Sequence, residues 1–231
     1  MQEIRRQQTR HEFIGALTGL ERQTLGGLDM VGQALDRSLE AVNYQDVELA
    51  GMVVHDDERI DGRYLEVHQG ILSLLALQSP VAGDLRLVAA LLHMIRCVER
   101  MGDQCANIAK LIPLSGHEAP KDKDILDAIV RMGELAGSQI SQAKEAFASR
   151  NAELAHDLVR QDQEINRLNR EIFKRAVEVG DEHEMREWAM FMVLVARCLE
   201  RIGDNTVDIA EQVVFVVTGL FREMADASSP G

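Results

Sequence analysis

Apolar and polar residues recur along the chain at three- and four-residue spacings, the pattern of a helix with one buried face. The pattern is interrupted by short stretches rich in polar residues, glycine or proline at 43–46, 78–84, 113–120, 150–151, 180–181 and 228–231. Six helical stretches lie between these breaks. The sequence therefore predicts an all-α fold.

Short polar side chains stand where four of these helices are expected to begin: Asp46, Asp84, Asn151 and Asp181. An oxygen of such a side chain accepts a hydrogen bond from a free N–H group in the first helical turn. We therefore predict that these four residues are N-caps.

The chain divides best at 113–120, a segment with a proline at each end. This division predicts a first three-helix bundle at 1–113, a second at 121–225, and a flexible tail at 226–231. Each bundle is expected to contain three of the six long helices.

The two halves are copies of each other. The segment 96–109, RCVERMGDQCANIA, matches 197–210, RCLERIGDNTVDIA, at eight of fourteen positions with an offset of 101 residues. The segment 46–61 matches 151–166 with an offset of 105 residues. Repeats of this length predict two tandem three-helix bundles that arose by internal duplication and pack together.

The third helix of each half carries one row of oxygen-bearing side chains. The members of these rows are Glu99, Asp103 and Asn107 in the first half and Glu200, Asp204 and Asp208 in the second. Residues four positions apart are displaced by only about 40° around a helix, so each row forms one ribbon. We expect both ribbons at the edge of the core.

The second helix of each half adds a related pair, Asp57 and Asp61 in one copy and Asp162 and Asn166 in the other. Like charges four residues apart on a helix repel each other by roughly 0.2–0.5 kcal/mol, and by more when they lose water. We therefore expect a positive charge to neutralise these carboxylates.

Two kinds of neutralising charge are available. The simpler one is a set of surface ion pairs with the nearby arginines Arg96, Arg100, Arg197 and Arg201. The other is a metal ion, since carboxylates on facing helices hold metals in helical bundles. Because the same Glu, Gly and Asp recur in both halves, we favour metal, and such oxygen ligands suit iron, manganese, magnesium or zinc.

Glycines Gly102 and Gly203 lie at equivalent positions inside these two helices. A glycine in a helix costs about 1 kcal/mol relative to alanine. We expect that each allows a neighbouring helix to approach closely beside the acids, although inherited sequence without a present role is the alternative.

The composition and charge of the chain argue against several classes of protein. The formal charge is −13, and a negative surface repels nucleic acid and anionic lipid, so we expect no nucleic-acid partner. The three cysteines, Cys97, Cys105 and Cys198, form no CxxC pair and are expected to be reduced core residues. The polar N-terminus and the short apolar runs predict a cytoplasmic protein that is neither exported nor membrane-embedded.

No phosphate-binding loop, nucleophile elbow or Cys/His pair with an orienting group occurs in the sequence. We therefore expect a protein that is not an enzyme. The aromatic and methionine residues around Trp188, including Met190 and Met192, are expected to fill the core.

The repeated segments 96–109 and 197–210 resemble the Glu/Asp-x-x-x-Asp signature of the PhoU family. The segment 78–86, QSPVAGDLR, also resembles the turn before that family's third helix. The resemblance covers nearly the whole chain. It implies a cytoplasmic negative regulator of phosphate uptake and signalling that couples the ATPase subunit of a phosphate transporter to a sensor histidine kinase.

The resemblance also implies the metal ligands Asp57, Asp61, Glu99, Asp103, Asp162, Glu200 and Asp204, with Asn107 and Asp208 beside them. Asn166 stands where the family pattern has Asp, and Lys110 stands where the second copy has Glu211. We expect a homodimer that is at most peripheral to a membrane complex.

Two other functions remain open. A ferritin-like metal-binding or storage protein is suggested by the Glu-x-x-His spacing of Glu153 and His156, but Gly51 stands where the first half would need its histidine. A metal-free helical adaptor is the other alternative, with arginine and acid pairs holding the two bundles together.

Overall fold

The structure is a computed structural model that describes residues 2–77, 80–116, 121–179 and 183–221, excluding the side chains of residues 2–9 and Glu184. Its helices are α1 (Gln2–Tyr44), α2 (Val47–Leu77), α3 (Gly83–Leu111), α4 (Lys123–Ser149), α5 (Ala152–Glu178) and α6 (His183–Thr218). A short 3-10 turn, Ile112–Leu114, follows α3, and the described residues form no strand. The prediction of an all-α fold with six long helices is confirmed.

Two of the predicted helix starts are capped as expected. Asp46 Oδ1 accepts a hydrogen bond from the N–H of Leu49 at 2.9 Å, which closes the first turn of α2. Asn151 Oδ1 accepts from the N–H groups of Glu153 and Leu154 at 2.9 and 3.2 Å, at the start of α5. These bonds satisfy N–H groups that have no partner within their own helix.

The other two predicted caps have different outcomes. Asp84 is not an N-cap, because α3 begins one residue earlier, with Ala82 in the cap position, and Asp84 instead pairs with Arg10 at 2.5 Å. Asp181 lies outside the described residues. An N-cap that the sequence analysis missed is Asp122, whose side chain accepts from a first-turn N–H of α4 at 3.0 Å.

Helices α3 and α6 form the centre of the molecule. They run antiparallel: Arg86 near the start of α3 lies against Gly219 just after α6, and farther along α3 Cys97 lies beside Asp208. Both helices are buried over much of their length, and their apolar side chains belong to one continuous core that includes residues from all six helices. Each large apolar side chain buried there contributes about 1.5–3 kcal/mol.

A second antiparallel contact, between α1 and α4, also joins the halves. Gly133 of α4 packs so closely on Leu39 of α1 that an added Cβ would overlap that leucine. Lys144 Nζ pairs with Asp29 Oδ1 at 2.6 Å farther along the same contact. The two three-helix bundles therefore share their core, with α3 on α6 and α1 on α4.

The connection between the halves comprises the 3-10 turn after α3 and the residues that lead to the start of α4. The proposed limits of the bundles, 113 and 121, fall within it. Residues 117–120 and the proposed flexible tail 226–231 lie outside the described residues.

Buried positions mostly follow the predicted helical pattern. Trp188 and Met192 are in the core, as predicted, whereas Met190 is 56% exposed and the prediction that it fills the core is wrong. The three cysteines carry free thiols, two of them buried and Cys198 half-buried. None of the described helices has an apolar stretch long enough to span a bilayer.

Candidate functional site

The first acidic cluster consists of Asp57 and Asp61 on α2 and Glu99 and Asp103 on α3. The two helices meet closely at Gly102, where an added Cβ would lie 2.9 Å from Ile60 Cγ2 and 3.0 Å from Asp57 Oδ1. The glycine therefore brings the Asp57 carboxylate against the backbone of α3. The close approach predicted from the glycine position is present.

Two carboxylates of this cluster, those of Asp57 and Glu99, are partly buried. Asp57 is half-buried, and its Oδ1 is sheltered from solvent with no hydrogen-bond donor from the described residues. The side chain of Glu99 is 18% exposed and has Arg96 Nε at 3.7 Å. Burying a carboxylate oxygen without a hydrogen-bond donor costs free energy unless the oxygen is protonated or binds a cation.

The four carboxylates influence one another's protonation. Burial, together with the charges of Asp61 and Asp103, raises the pKa of Asp57 to about 6, and the charge of Lys110 opposes this increase. Burial is also the largest cause of the raised pKa of Glu99, against which Arg96 acts. Mutual repulsion of this kind indicates that the carboxylates share one site.

The oxygens of these carboxylates lie too far apart to surround one metal ion. In the described side-chain positions, no three of them bring oxygen atoms within 4.8 Å of one another. Asp61 and Asp103 are exposed, so their side chains are free to turn toward the sheltered oxygens of Asp57 and Glu99. The donors are all oxygens, which suit a hard cation.

The second acidic cluster consists of Asp162 on α5 and Glu200 and Asp204 on α6. Here the helices meet at Gly203, where an added Cβ would lie 2.5 Å from Asp162 Oδ1. Asp162 is 5% exposed, and Asn166 Nδ2 donates to its Oδ2 at 2.7 Å. The amide of Asn166 is therefore hydrogen-bonded to an oxygen that could otherwise coordinate a metal ion.

Other polar groups also enter the second cluster. Gln139 of α4 is buried, with its Oε1 3.4 Å from the position of a Gly203 Cβ, and this oxygen accepts a hydrogen bond from Thr206 at 3.1 Å. Arg197 pairs with Glu200, whose side chain is 15% exposed. Sequence reasoning missed Gln139, because its position depends on how α4 packs against α6.

Two further residues, Asn107 and Asp208, are predicted to lie beside the acidic rows. Asn107 is exposed on α3. Asp208 lies at the contact between α3 and α6, where burial raises its pKa and the charges of His93 and Arg100 oppose that increase. Asp208 therefore lies beside α3 of the first half, and Asn107 is solvent-exposed, as Asp61 and Asp103 of the first cluster are.

The two clusters differ in how well they fit a cation. The first cluster has a sheltered Asp57 oxygen that no described donor reaches and three further carboxylates around it. In the second cluster the Oδ1 of Asp162 is sheltered as well, but Asn166 and Arg197 already bind other oxygens of Asp162 and Glu200. The residues of the first cluster fit a metal ion, and those of the second fit it less well.

Comparison with known proteins agrees with the duplication. The family model described as the PhoU domain matches the chain twice, at 27–112 and 129–213. A phosphate-specific transport system accessory protein PhoU homolog from Clostridium acetobutylicum is 29% identical over 94% of this chain and 100% of its own length. PhoU homolog 1 from Mycobacterium leprae is 30% identical over 96% of this chain and 97% of its own length.

A solved structure has the same fold. The phosphate transport system regulatory protein PhoU from Streptococcus pneumoniae superimposes with a TM-score of 0.85 at 26% sequence identity. The match covers 92% of this chain and 100% of that one.

Replacing Gly102 with alanine is expected to lower the free energy of unfolding by about 1 kcal/mol. A Cβ there would press on Ile60 and Asp57, and overpacking of about 1–3 kcal/mol exceeds the gain in helix propensity. Gly62→Ala on α2 is the matched control, because an added Cβ there meets nothing within 4 Å. That variant should gain about 0.5–1 kcal/mol. Urea unfolding of both measures the difference, and equal stabilisation would contradict close packing at Gly102.

Asp57→Asn is expected to stabilise the chelator-treated protein at pH 7. The pKa of Asp57 rises from 3.8 to about 6 on folding, so its contribution to stability is present below pH 3.8 and is lost as pH rises through about 6. A shift of that size corresponds to at most about 3 kcal/mol, and solvent screening of the half-buried group reduces the expected gain to about 1 kcal/mol.

The check is urea unfolding of wild type and Asp57→Asn at several pH values between 3.5 and 7.5, with exposed Asp127→Asn on α4 as control. The advantage of Asp57→Asn should appear only as pH rises through the range between the two pKa values. An advantage that is the same at every pH would show that Asp57 keeps its ordinary pKa.

Proposed function

Because this chain belongs to the PhoU domain family, we propose that it is a negative regulator of phosphate uptake and signalling, accessory to a phosphate-specific transport system. It would work in the cytoplasm as a homodimer, coupling the transporter's ATPase subunit to a sensor histidine kinase. The match of the PhoU domain to both halves supports this role most directly. The names of the relatives, which are accessory proteins of phosphate-specific transport, support it as well.

The proposal includes a metal ion at the first acidic cluster, with iron favoured. Asp57, Asp61, Glu99 and Asp103 would hold it, since Asp57 lies at the contact of α2 and α3 at Gly102 and the charges of the other three act on it. Bound there, the ion would supply positive charge that offsets the repulsion among the four carboxylates. The side chains would then hold α2 and α3 in one fixed arrangement for a partner protein.

A role without catalysis is consistent with the thiols of the chain. Burial raises the pKa of Cys97 to about 12 and also raises the pKa values of Cys105 and Cys198. A thiol with a raised pKa carries little of the thiolate form that acts as a nucleophile. The cysteines are therefore poorly suited to covalent chemistry.

The metal-free adaptor remains the second candidate. The ion pairs Arg96–Glu99 and Arg197–Glu200 give each cluster a positive charge without metal. Such pairs on a surface contribute about 0–1 kcal/mol, and neither of them reaches the sheltered Oδ1 of Asp57. The ferritin-like alternative has less support, since His156 is exposed on α5 and Gly51 still lacks the matching histidine.

Metal analysis of protein purified without oxygen tests the metal part of the proposal. Asp57→Asn/Glu99→Gln should lose most of the iron bound by wild type, because it removes the two sheltered ligands. Asp127→Asn/Glu145→Gln changes the charge equally at exposed positions of α4 and should keep it. Negligible iron in all three proteins, or equal iron in all three, would remove the metal part and leave the adaptor.

Affinity purification from phosphate-replete cells tests the regulatory part. Wild type is expected to recover the transporter ATPase subunit and the sensor histidine kinase, identified by mass spectrometry. The acidic-cluster variant should recover less of at least one of them, and the α4 control should behave as wild type. Recovery of neither protein by wild type would count against coupling of transport to signalling.

A further inference from the structure

A separate group of metal-ligand side chains lies where α3 crosses α6. His93 and Cys97 are four residues apart on α3, so they project from one face, and Asp208 approaches them from α6. One imidazole nitrogen, the thiol sulfur and one carboxylate oxygen all lie within 4.8 Å of one another. Among the described residues, no other set of three His, Cys, Asp or Glu side chains converges in this way.

We propose that His93, Cys97 and Asp208 form a zinc site that joins the two halves of the molecule. Thiolate, imidazole and carboxylate are the three protein ligands of Zn²⁺, and together they make three of the four corners of a tetrahedron. The first acidic cluster offers only oxygens and therefore selects harder cations. The two sites thus differ in the metal that they bind.

The three side chains leave one side of the site open to solvent. Cys97 is fully buried, Asp208 is half-buried and His93 is exposed, so an ion can enter past the imidazole and a water can complete its coordination. Glu211 adds negative charge near Cys97, while Arg100 adds positive charge near both Cys97 and Asp208. The net charge of these groups, including a Cys97 thiolate, favours a divalent cation.

Binding would require the Cys97 thiol to release its proton to solvent. Burial keeps that thiol protonated, but a coordinating thiol loses its proton to the metal. Zinc affinity should therefore increase with pH. The bound ion would connect α3 of the first half to α6 of the second, at the centre of the shared core.

The duplication shows that this site exists at only one of two equivalent positions. With the offset of 101 residues, His93 corresponds to Leu194 and Cys97 to Cys198. The equivalent of Asp208 in the first half is Asn107. The second position therefore has a thiol but neither the imidazole nor the carboxylate. Its residues provide substitutions that the fold already accepts, namely His93→Leu and Asp208→Asn.

Cobalt titration of the chelator-treated full chain tests the proposal. Wild type should develop a thiolate-to-cobalt charge-transfer band that saturates near one equivalent, and added Zn²⁺ should abolish it by displacement. Cys97→Ala should lose the band, whereas Cys198→Ala should keep it. Asp57→Asn/Glu99→Gln should also keep it, which separates this site from the first acidic cluster.

Zinc affinity and stability provide the second measurement. By competition with a chromophoric chelator, His93→Leu and Asp208→Asn should each bind Zn²⁺ at least about 100-fold more weakly than wild type, since each loses a direct ligand and loss of an outer-shell partner alone costs about 10–100-fold. Zn²⁺ should raise the Tm of wild type and leave that of His93→Leu unchanged.

Three results would overturn the proposal: no charge-transfer band in wild type with excess cobalt, a band that persists in Cys97→Ala, or wild-type zinc affinity in folded His93→Leu. The last result is decisive even if Cys97→Ala fails to fold, because His93 is exposed and its replacement leaves the core intact.

Discussion

The close contact between helices at the two equivalent glycines is the constraint on which both acidic clusters depend. At Gly102 and Gly203 the missing Cβ lets the preceding helix of each half approach until Asp57 and Asp162 lie against the backbone. Water is excluded from part of each carboxylate as a result. A carboxylate that would be unremarkable on an open helix thereby becomes a group whose charge must be compensated.

The two copies meet this requirement differently. In the first copy the Oδ1 of Asp57 has no donor from the described residues, and the pKa of the group is raised to about 6. In the second copy the Oδ1 of Asp162 is also sheltered, but Asn166 donates to its Oδ2 and Gln139 lies beside the same contact. One site is therefore left suited to a cation, while the other is partly satisfied by amides. Duplication preserved the helix geometry and let the chemistry diverge.

The contact of α3 with α6 has a second consequence. It places Asp208, which follows Glu200 and Asp204 on α6, beside His93 and Cys97 of the other half. Asp208 belongs to the acidic row of the second half in sequence, but in space it lies beside an imidazole and a thiol of the first half. The shared core makes this possible, because the central helices are buried against each other and their relative positions are set by many apolar side chains.

The sequence by itself determined the all-α fold, the six helices and their duplication, because helix period and repeat spacing are properties of the chain. It also identified the caps at Asp46 and Asn151, where a hydrogen bond spans only two or three residues. Only the tertiary structure decided which faces of different helices meet. The position of Asp208 and the approach of Gln139 depend on contacts between residues far apart in sequence, and no local pattern specifies those contacts.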